Sequence, residues 1–327
     1  MVRENMIYRE LGRTGLKVSA IGFGTAEIGF AYGMGPRGLP TDAEANFILK
    51  FAVDLGINYF DTARAYDLAE ERIGRSGIAR IDGVVVGTKC AQFLEKGLKL
   101  SYPEMKRQII EEVETSLINL RLDTLPLLYL HGGTRHDIET GILSEILRGL
   151  KGAGKVKHTG ISLRGEDNAL AAIESGFFDV IQVAHSILDQ RMTAQVLILA
   201  KERGVGVVNR SVLLKGALTN LREHLPDELM PLKINAEKAA EIAYGLGLDL
   251  PSLAVRFALS SPSISTALVG TNKVDNLVRS LKALAQGPLP GDVLSELGRL
   301  AINDPGQVDP KEWPASAGGH SSISNKK

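Results

Sequence analysis

Short apolar runs alternate with longer amphipathic stretches along almost the whole chain, and this alternation limits the fold more than any other feature. The runs are Ser19 to Phe23, "INYFD" ending at Asp61, "GVVVGTK" ending at Lys89, "LPLLYLHG" with His131, "KHTGIS" ending at Ser162, "DVIQVA" with Gln182, "VGVVNRS" with Arg210, and "STALVGT" ending at Thr271. Between them the period turns helical. Ile48, Phe51, Ala52 and Leu55 share one face, as do Met105, Ile109, Val113, Leu117 and Leu120. Leu143, Ile146, Leu147 and Leu150 repeat the pattern, and so do Val274, Leu277, Val278 and Leu281. "AEERIGRSG", "NALAAIESG" and "AQVLILAKERG" read as further helices, the first closed by glycine.

Strand-then-helix alternation predicts a parallel sheet with helices outside it. "GVVVGTK" is continuously apolar before its end, the type of strand buried on both faces. About eight such units in 327 residues match a closed (β/α)8 TIM barrel, typically ~250 residues before additions. An open doubly wound sheet is the structural rival. No Pro/Gly/Ser-rich linker divides the chain, so residues 1–304 are expected to form one domain. Ahead of the first unit, "YRELGRTGLKVSAIGFG" reads as a hairpin turning at Gly12 to Gly15, placed to cover the barrel bottom. Residues 305–327 are expected to be a partly disordered tail, ending in the small and polar "GGHSSISNKK".

Charge excludes some partners. Lysine plus arginine equals aspartate plus glutamate at 38 each, so no basic excess tracks a nucleic-acid backbone. A single cysteine, Cys90, rules out an internal disulfide and fits a reducing compartment. The N-terminus shows no apolar signal region, and no window nears the 18 apolar residues of a spanning helix, so no membrane is expected and the cytoplasm is the default location.

Several motif tests fail. "GFGTAEIG" has Glu27 where a dinucleotide fingerprint needs its third glycine, and no P-loop occurs. Neither HExxH nor paired cysteines are present, so no dedicated metal site is expected. Cys90 reads better as a small buried hydrophobe than as a nucleophile.

In a barrel of this kind the chemistry sits where strands end. Asp61, Lys89 and His131 end successive strands, and Tyr66 follows on the loop after Asp61. Taken singly each has an ordinary reading: a turn former, a solvent-reaching lysine, a core histidine, a hydrophobic cover. Together on one rim they form a proton-transfer set. Asp61 would hold Lys89 charged, and Lys89 would lower the pKa of the Tyr66 phenol from about 10. His131 would direct a substrate oxygen. Such a set moves a proton and supplies no electrons, so a redox reaction needs a hydride carrier.

With "GFGT", "NYFDTARAY", "AEERIG", "VVVGTK", "LLYLHG", "KHTGIS" and "LVGTNKVDNL" in this order, the sequence resembles the aldo-keto reductase family over almost its whole length. The resemblance implies a nicotinamide cofactor, NAD or NADP, extended across the rim. It also implies a catalytic tetrad of Asp61, Tyr66, Lys89 and His131, with the tyrosine as general acid in reduction and general base in oxidation. By matching motifs it assigns Gly24, Thr25, Ser162 and Gln182 to the nicotinamide end, Ser211, Leu213 and Gly216 to the pyrophosphate, and Gly270, Thr271, Asn272, Lys273 and Asn276 to the adenosine end.

The departures carry information. Leu163 stands where the family usually has asparagine, and Arg210 replaces an aromatic that stacks on nicotinamide. The basic pair that grips a 2′-phosphate reads as Gly270 and Asn276, and Ser280 replaces an expected asparagine, leaving Lys273 as the nearby cation. NAD or dual use is favoured over strict NADP use. The same variants resemble the sugar-oxidising branch, which takes an aldose to its lactone. Tyr32, Arg64 and Trp313 are then the residues expected to face a sugar. A broad NADPH-dependent aldehyde or ketone reductase is the second reading, and a non-catalytic cofactor-sensing subunit is the third. The sequence singles out no oligomer interface.

Overall fold

The computed structural model describes residues 6–34 and 38–314. Two short strands, β1 (Tyr8–Glu10) and β2 (Lys17–Ser19), pair antiparallel around a turn at Gly12–Thr14. Eight strands then follow: β3 (Ile21–Gly24), β4 (Tyr59–Asp61), β5 (Val85–Cys90), β6 (Leu125–His131), β7 (Val156–Ser162), β8 (Val180–Ala184), β9 (Gly206–Arg210) and β10 (Thr266–Gly270). All pair in parallel, each with the next, and β10 closes on β3. The barrel is therefore closed, and the open-sheet rival falls.

A helix stands in each crossover. These include α1 (Ala26–Gly29), α2 (Asp42–Asp54), α3 (Ala69–Ser76), α4 (Gln92–Glu95), α5 (Tyr102–Leu120), α6 (Arg135–Glu139), α7 (Ile142–Gly152), α8 (Glu166–Glu174) and α9 (Val196–Glu202). The C-terminal part adds α10 (Met230–Gly245), α11 (Leu250–Ser260), α12 (Val274–Ala285), α13 (Gly291–Gly298) and α14 (Pro305–Val308). Local chemistry sets their ends. Thr41 caps α2 with a reciprocal bond to Glu44, and α3 stops at Gly77 in the left-handed region. Among the described residues no single helix is long and apolar enough to cross a membrane.

The hairpin plugs the N-terminal end of the barrel. Leu11 and Val18 join Tyr59, Val85, Leu127, Tyr129, Val180 and Val208 in one buried cluster inside the strands. Arg9 donates to the carbonyls of Leu259 and Ile264, and Arg13 to those of Gly176 and Phe178. At Gly12 a Cβ would lie 2.1 Å from the Gly206 nitrogen, so only glycine lets the turn press that close.

Higher in the barrel the filling alternates large and small. The hydroxyls of Tyr59 and Tyr129 meet at 2.8 Å across β5. A Cβ on Gly87, between them, would stand 2.7 Å from the Tyr59 hydroxyl. This layer is the floor beneath the site.

One sequence expectation needs revision here. Residues 305–314 are folded rather than a loose tail: they form α14 and bury Trp313. The polar "GGHSSISNKK" lies outside the described residues.

Candidate active site

Side-chain alternation carries the strand ends into one place. Tyr59, Tyr129, Val180 and Val208 point into the barrel, so Asp61, His131, Gln182 and Arg210, two residues on, do the same at its mouth. Gly87 and Gly160 precede Lys89 and Ser162 by the same step.

The polar groups at the mouth form a connected chain. Lys89 Nζ lies 2.6 Å from Asp61 Oδ2 and donates to the Thr62 carbonyl at 2.9 Å. It also reaches the Tyr66 hydroxyl at 3.4 Å. Gln182 Nε2 donates to Asp61 Oδ1 at 2.6 Å, and the Ser162 hydroxyl donates to Gln182 Oε1 at 3.1 Å. Tyr66 comes back over the rim on the turn after β4, with its ring edge-on to His131 at 6.0 Å. The backbone of Gly29 makes room for that turn: a Cβ there would sit 2.1 Å from the Tyr66 carbonyl oxygen.

One electrostatic expectation is overturned. Lys89 was expected to lower the Tyr66 phenol. Burial, aided by the Asp61 and Glu95 carboxylates, instead pushes that phenol up. The ammonium is itself buried, which pulls Lys89 down, and Asp61 balances most of its charge at close range. Tyr66 is therefore a protonated acid throughout the neutral range. His131 is neutral, because burial lowers it to about 3. Cys90 lies buried in β5, where burial pushes its thiol up, as befits a core residue.

A cavity of about 1030 Å³ opens over this chain and extends to the start of α12. Its wall includes Gly24, Thr25, Asp61, Tyr66, His131, Ser162, Gln182 and Arg210 around the tetrad. Ser211, Leu213 and Gly216 line its middle, and Gly270, Thr271, Asn272, Lys273 and Asn276 line its far end. Lys89 stands just beneath the wall. The middle segment turns through left-handed backbone at Ser211, Leu214, Lys215 and Gly216. Such runs form concave nests that suit phosphate oxygens. The bare backbones of Gly24 and Gly270 pair side by side and keep the floor open. These features fit an extended dinucleotide.

Of the three residues expected to face a sugar, the cavity keeps only Tyr32. Arg64 turns away, because its guanidinium pairs with the fully buried Glu70. Trp313 is packed in the core, with its indole N–H donating to the Gln307 carbonyl at 2.8 Å. Lys273 is not the lone cation at the far end either. Arg279 also lines the cavity there, and its Nε stands 3.0 Å from Asp249 Oδ2.

Sequence reasoning missed an ionic cluster beside the tetrad. Glu95, at the end of α4, takes two bonds on Oε1 from Arg164, at 3.0 and 2.7 Å. Burial opposes its charge, yet His131 and Arg164 hold the Glu95 carboxyl at about 2. Arg164 also pairs with Asp309, and Lys311 Nζ donates to the Glu95 carbonyl at 2.9 Å. Arg210 is partly buried on the cavity wall and donates to the Leu163 carbonyl at 3.0 Å. Arg164 follows Ser162 by two residues, which was a usable signal; Glu95 lies beyond a strand end and gave none.

Comparison with known proteins fits this geometry. The aldo/keto reductase family matches over residues 20–302. The chain is 31% identical to L-galactose dehydrogenase of Arabidopsis thaliana, over 94% of this chain and 97% of that protein. It is 28% identical to D-threo-aldose 1-dehydrogenase of a Pseudomonas species, over 88% and 95%. Among solved structures, the aldo-keto reductase AKR11C1 from Bacillus halodurans in its holo form superposes with a TM-score of 0.75 at 26% identity, covering 91% of this chain and 97% of that one.

Proposed function

The chain belongs to the aldo/keto reductase family, an oxidoreductase of carbonyl and alcohol groups, and on that premise we propose that it oxidises an aldose at C1 to the lactone. The observation that carries this reading is the polar wall facing Tyr66. Glu95, Arg164 and Arg210 crowd the reacting end of the cavity with hydrogen-bonding groups. Arg164 takes up Glu95 Oε1 and leaves Oε2 open, where a sugar has a hydroxyl to offer and a plain aldehyde has none. The likeness to two sugar dehydrogenases supports the same reading.

The nicotinamide dinucleotide, when bound, supplies the hydride acceptor. Ser162 and Gln182 would hold its carboxamide, the turn from Ser211 to Gly216 its pyrophosphate, and Lys273, Asn276 and Arg279 its adenosine end. His131 offers a neutral ring N–H to the substrate oxygen. Tyr66 exchanges the proton at its hydroxyl, while Lys89 and Asp61 fix the place of that hydroxyl and carry the charge that appears when the proton leaves. Asp249 occupies the Arg279 guanidinium, so a 2′-phosphate would have to displace a carboxylate. This supports NAD or dual use.

One observation favours a second reading. A phenol pushed up is ready to donate, which suits NADPH-dependent reduction of an aldehyde or ketone. Paired assays separate the two: NAD+ with a panel of aldoses against NADPH with simple aldehydes. Oxidation of aldoses at the higher kcat/KM is expected, and activity confined to the NADPH panel overturns the proposal. Tyr66→Phe should abolish turnover and keep dinucleotide binding; full turnover in that variant removes the role given to Tyr66 and leaves the regulatory-subunit reading open.

A further inference from the structure

We propose that Glu95 and His131 together read two oxygens on adjacent carbons, so that the substrates are carbonyl or hemiacetal compounds with a hydroxyl next to the reacting carbon. The inference deepens the oxidoreductase reading above and rests on it.

The two oxygens of Glu95 have different surroundings. Oε1 is saturated by Nε and Nη2 of Arg164. Oε2 takes no hydrogen bond from any described residue and stands 3.5 Å from Nε2 of His131, on the cavity wall. A carboxylate so placed favours the imidazole proton on Nε2, with Nδ1 as the unprotonated nitrogen. Nδ1 is indeed buried and without a donor among the described residues. The cavity thus shows one N–H donor and, beside it, one charged acceptor.

This pair matches one substrate pattern. The donor suits the reacting oxygen, and the acceptor suits a neighbouring hydroxyl that must donate. Oxygens on adjacent carbons lie about one hydrogen-bond length apart, ~3 Å, close to the spacing of the two protein groups. A 2-deoxy compound satisfies His131 and leaves Oε2 unpaired. Arg164 is the positioning residue, since it holds the carboxylate flat and fixes which oxygen faces the cavity.

The test compares substrates that differ by one hydroxyl. Wild-type protein and Glu95→Gln are assayed with NAD+ on L-galactose and its 2-deoxy analogue, and with NADH on glycolaldehyde and acetaldehyde. Glutamine keeps an oxygen for Arg164 and turns the free acceptor into an N–H donor. The expected result is a roughly tenfold narrowing of the preference for the hydroxylated member of each pair, read as the ratio of the two kcat/KM values and carried mostly by KM. Equal losses on both members mean a structural role and overturn the inference, as does wild-type enzyme blind to the missing hydroxyl. If no aldose is oxidised, the lactone-forming reading fails while the aldehyde pair still decides this one. Should Glu95→Gln not fold, Arg164→Lys, which loosens the carboxylate without removing it, is expected to narrow the same preference; unaltered preference there refutes the role of Arg164.

Discussion

Replacing Lys89 with methionine tests the centre of the site, because the side chain keeps its length and loses only its ammonium. Lys89 and Asp61 are buried, 1% and 3% exposed. In the variant Asp61 retains the Gln182 donor and loses the ammonium at 2.6 Å, while the Thr62 carbonyl loses its donor too. Removing one partner of a buried ion pair costs about 3–5 kcal/mol, because the other charge stays behind. An unfolding entropy of ~2.1 cal/mol/K per residue gives ~0.7 kcal/mol/K for 327 residues, so Tm should fall about 4–7 °C. The double variant Asp61→Asn/Lys89→Met removes the stranded charge as well. It should recover about half of that loss, with a coupling energy of ~1–3 kcal/mol. Scanning calorimetry on the four proteins of the cycle measures both quantities. A single variant within about a degree of wild type refutes the buried-pair argument, and so does a double variant no more stable than the single. Turnover should drop about 10²–10⁴-fold with dinucleotide binding retained, because the phenol loses the cation that steadies it as its proton moves.

Three more outcomes follow from the same geometry. Because the Tyr66 phenol is pushed up, only its rare ionised form can act as a base. Oxidation should therefore quicken about tenfold per pH unit between roughly pH 6 and 9 while reduction stays flat, and a level oxidation profile contradicts the assignment. His131 is held neutral with its pKa lowered to about 3, against about 6.5 when unfolded. The unfolded chain takes up that proton first as pH falls, so its stability contribution is complete above ~6.5 and is lost toward ~3; urea titrations should show up to ~2 kcal/mol of this by pH 5, and His131→Gln should flatten the slope. Trp313→Ala should cost ~3–5 kcal/mol of stability by emptying a core site, with equal effects on sugar and aldehyde KM. A selective loss for sugars would return the indole to the substrate wall.

Most of the barrel was legible because its signals are local and periodic. A strand buried on both faces announces itself as a continuous apolar run, and "GVVVGTK" and "LPLLYLHG" needed no partner to be read. The cluster at the barrel mouth was legible for the same reason, since Asp61, Lys89 and His131 interrupt apolar runs at their ends. What stayed hidden depends on where loops fold back. Nothing in "YDLAEERIG" shows that Glu70 will capture Arg64 and turn it from the cavity. The sign of the Tyr66 shift was hidden too, because it depends on how deeply the ring is buried and on how closely Asp61 cancels Lys89. Trp313 was expected to face a sugar, and its burial required the barrel to exist first.

The placement of the C-terminal segment also changes where the functional unit ends. Two guanidinium groups, Arg164 and Arg210, share the mouth of the barrel, and together with its burial the nearby Arg164 pulls Arg210 down. Like charges at that depth are tolerable only with compensation. Glu95 supplies part of it through Arg164, and Asp309 supplies the rest from the segment after α13. Lys311 then ties the same segment back to α4 through the Glu95 carbonyl. A boundary drawn at residue 304 would remove Asp309 and leave two arginines with one carboxylate between them. The residues after α13 are therefore part of the cavity wall electrostatically, through Asp309 on Arg164 and Lys311 on the Glu95 carbonyl.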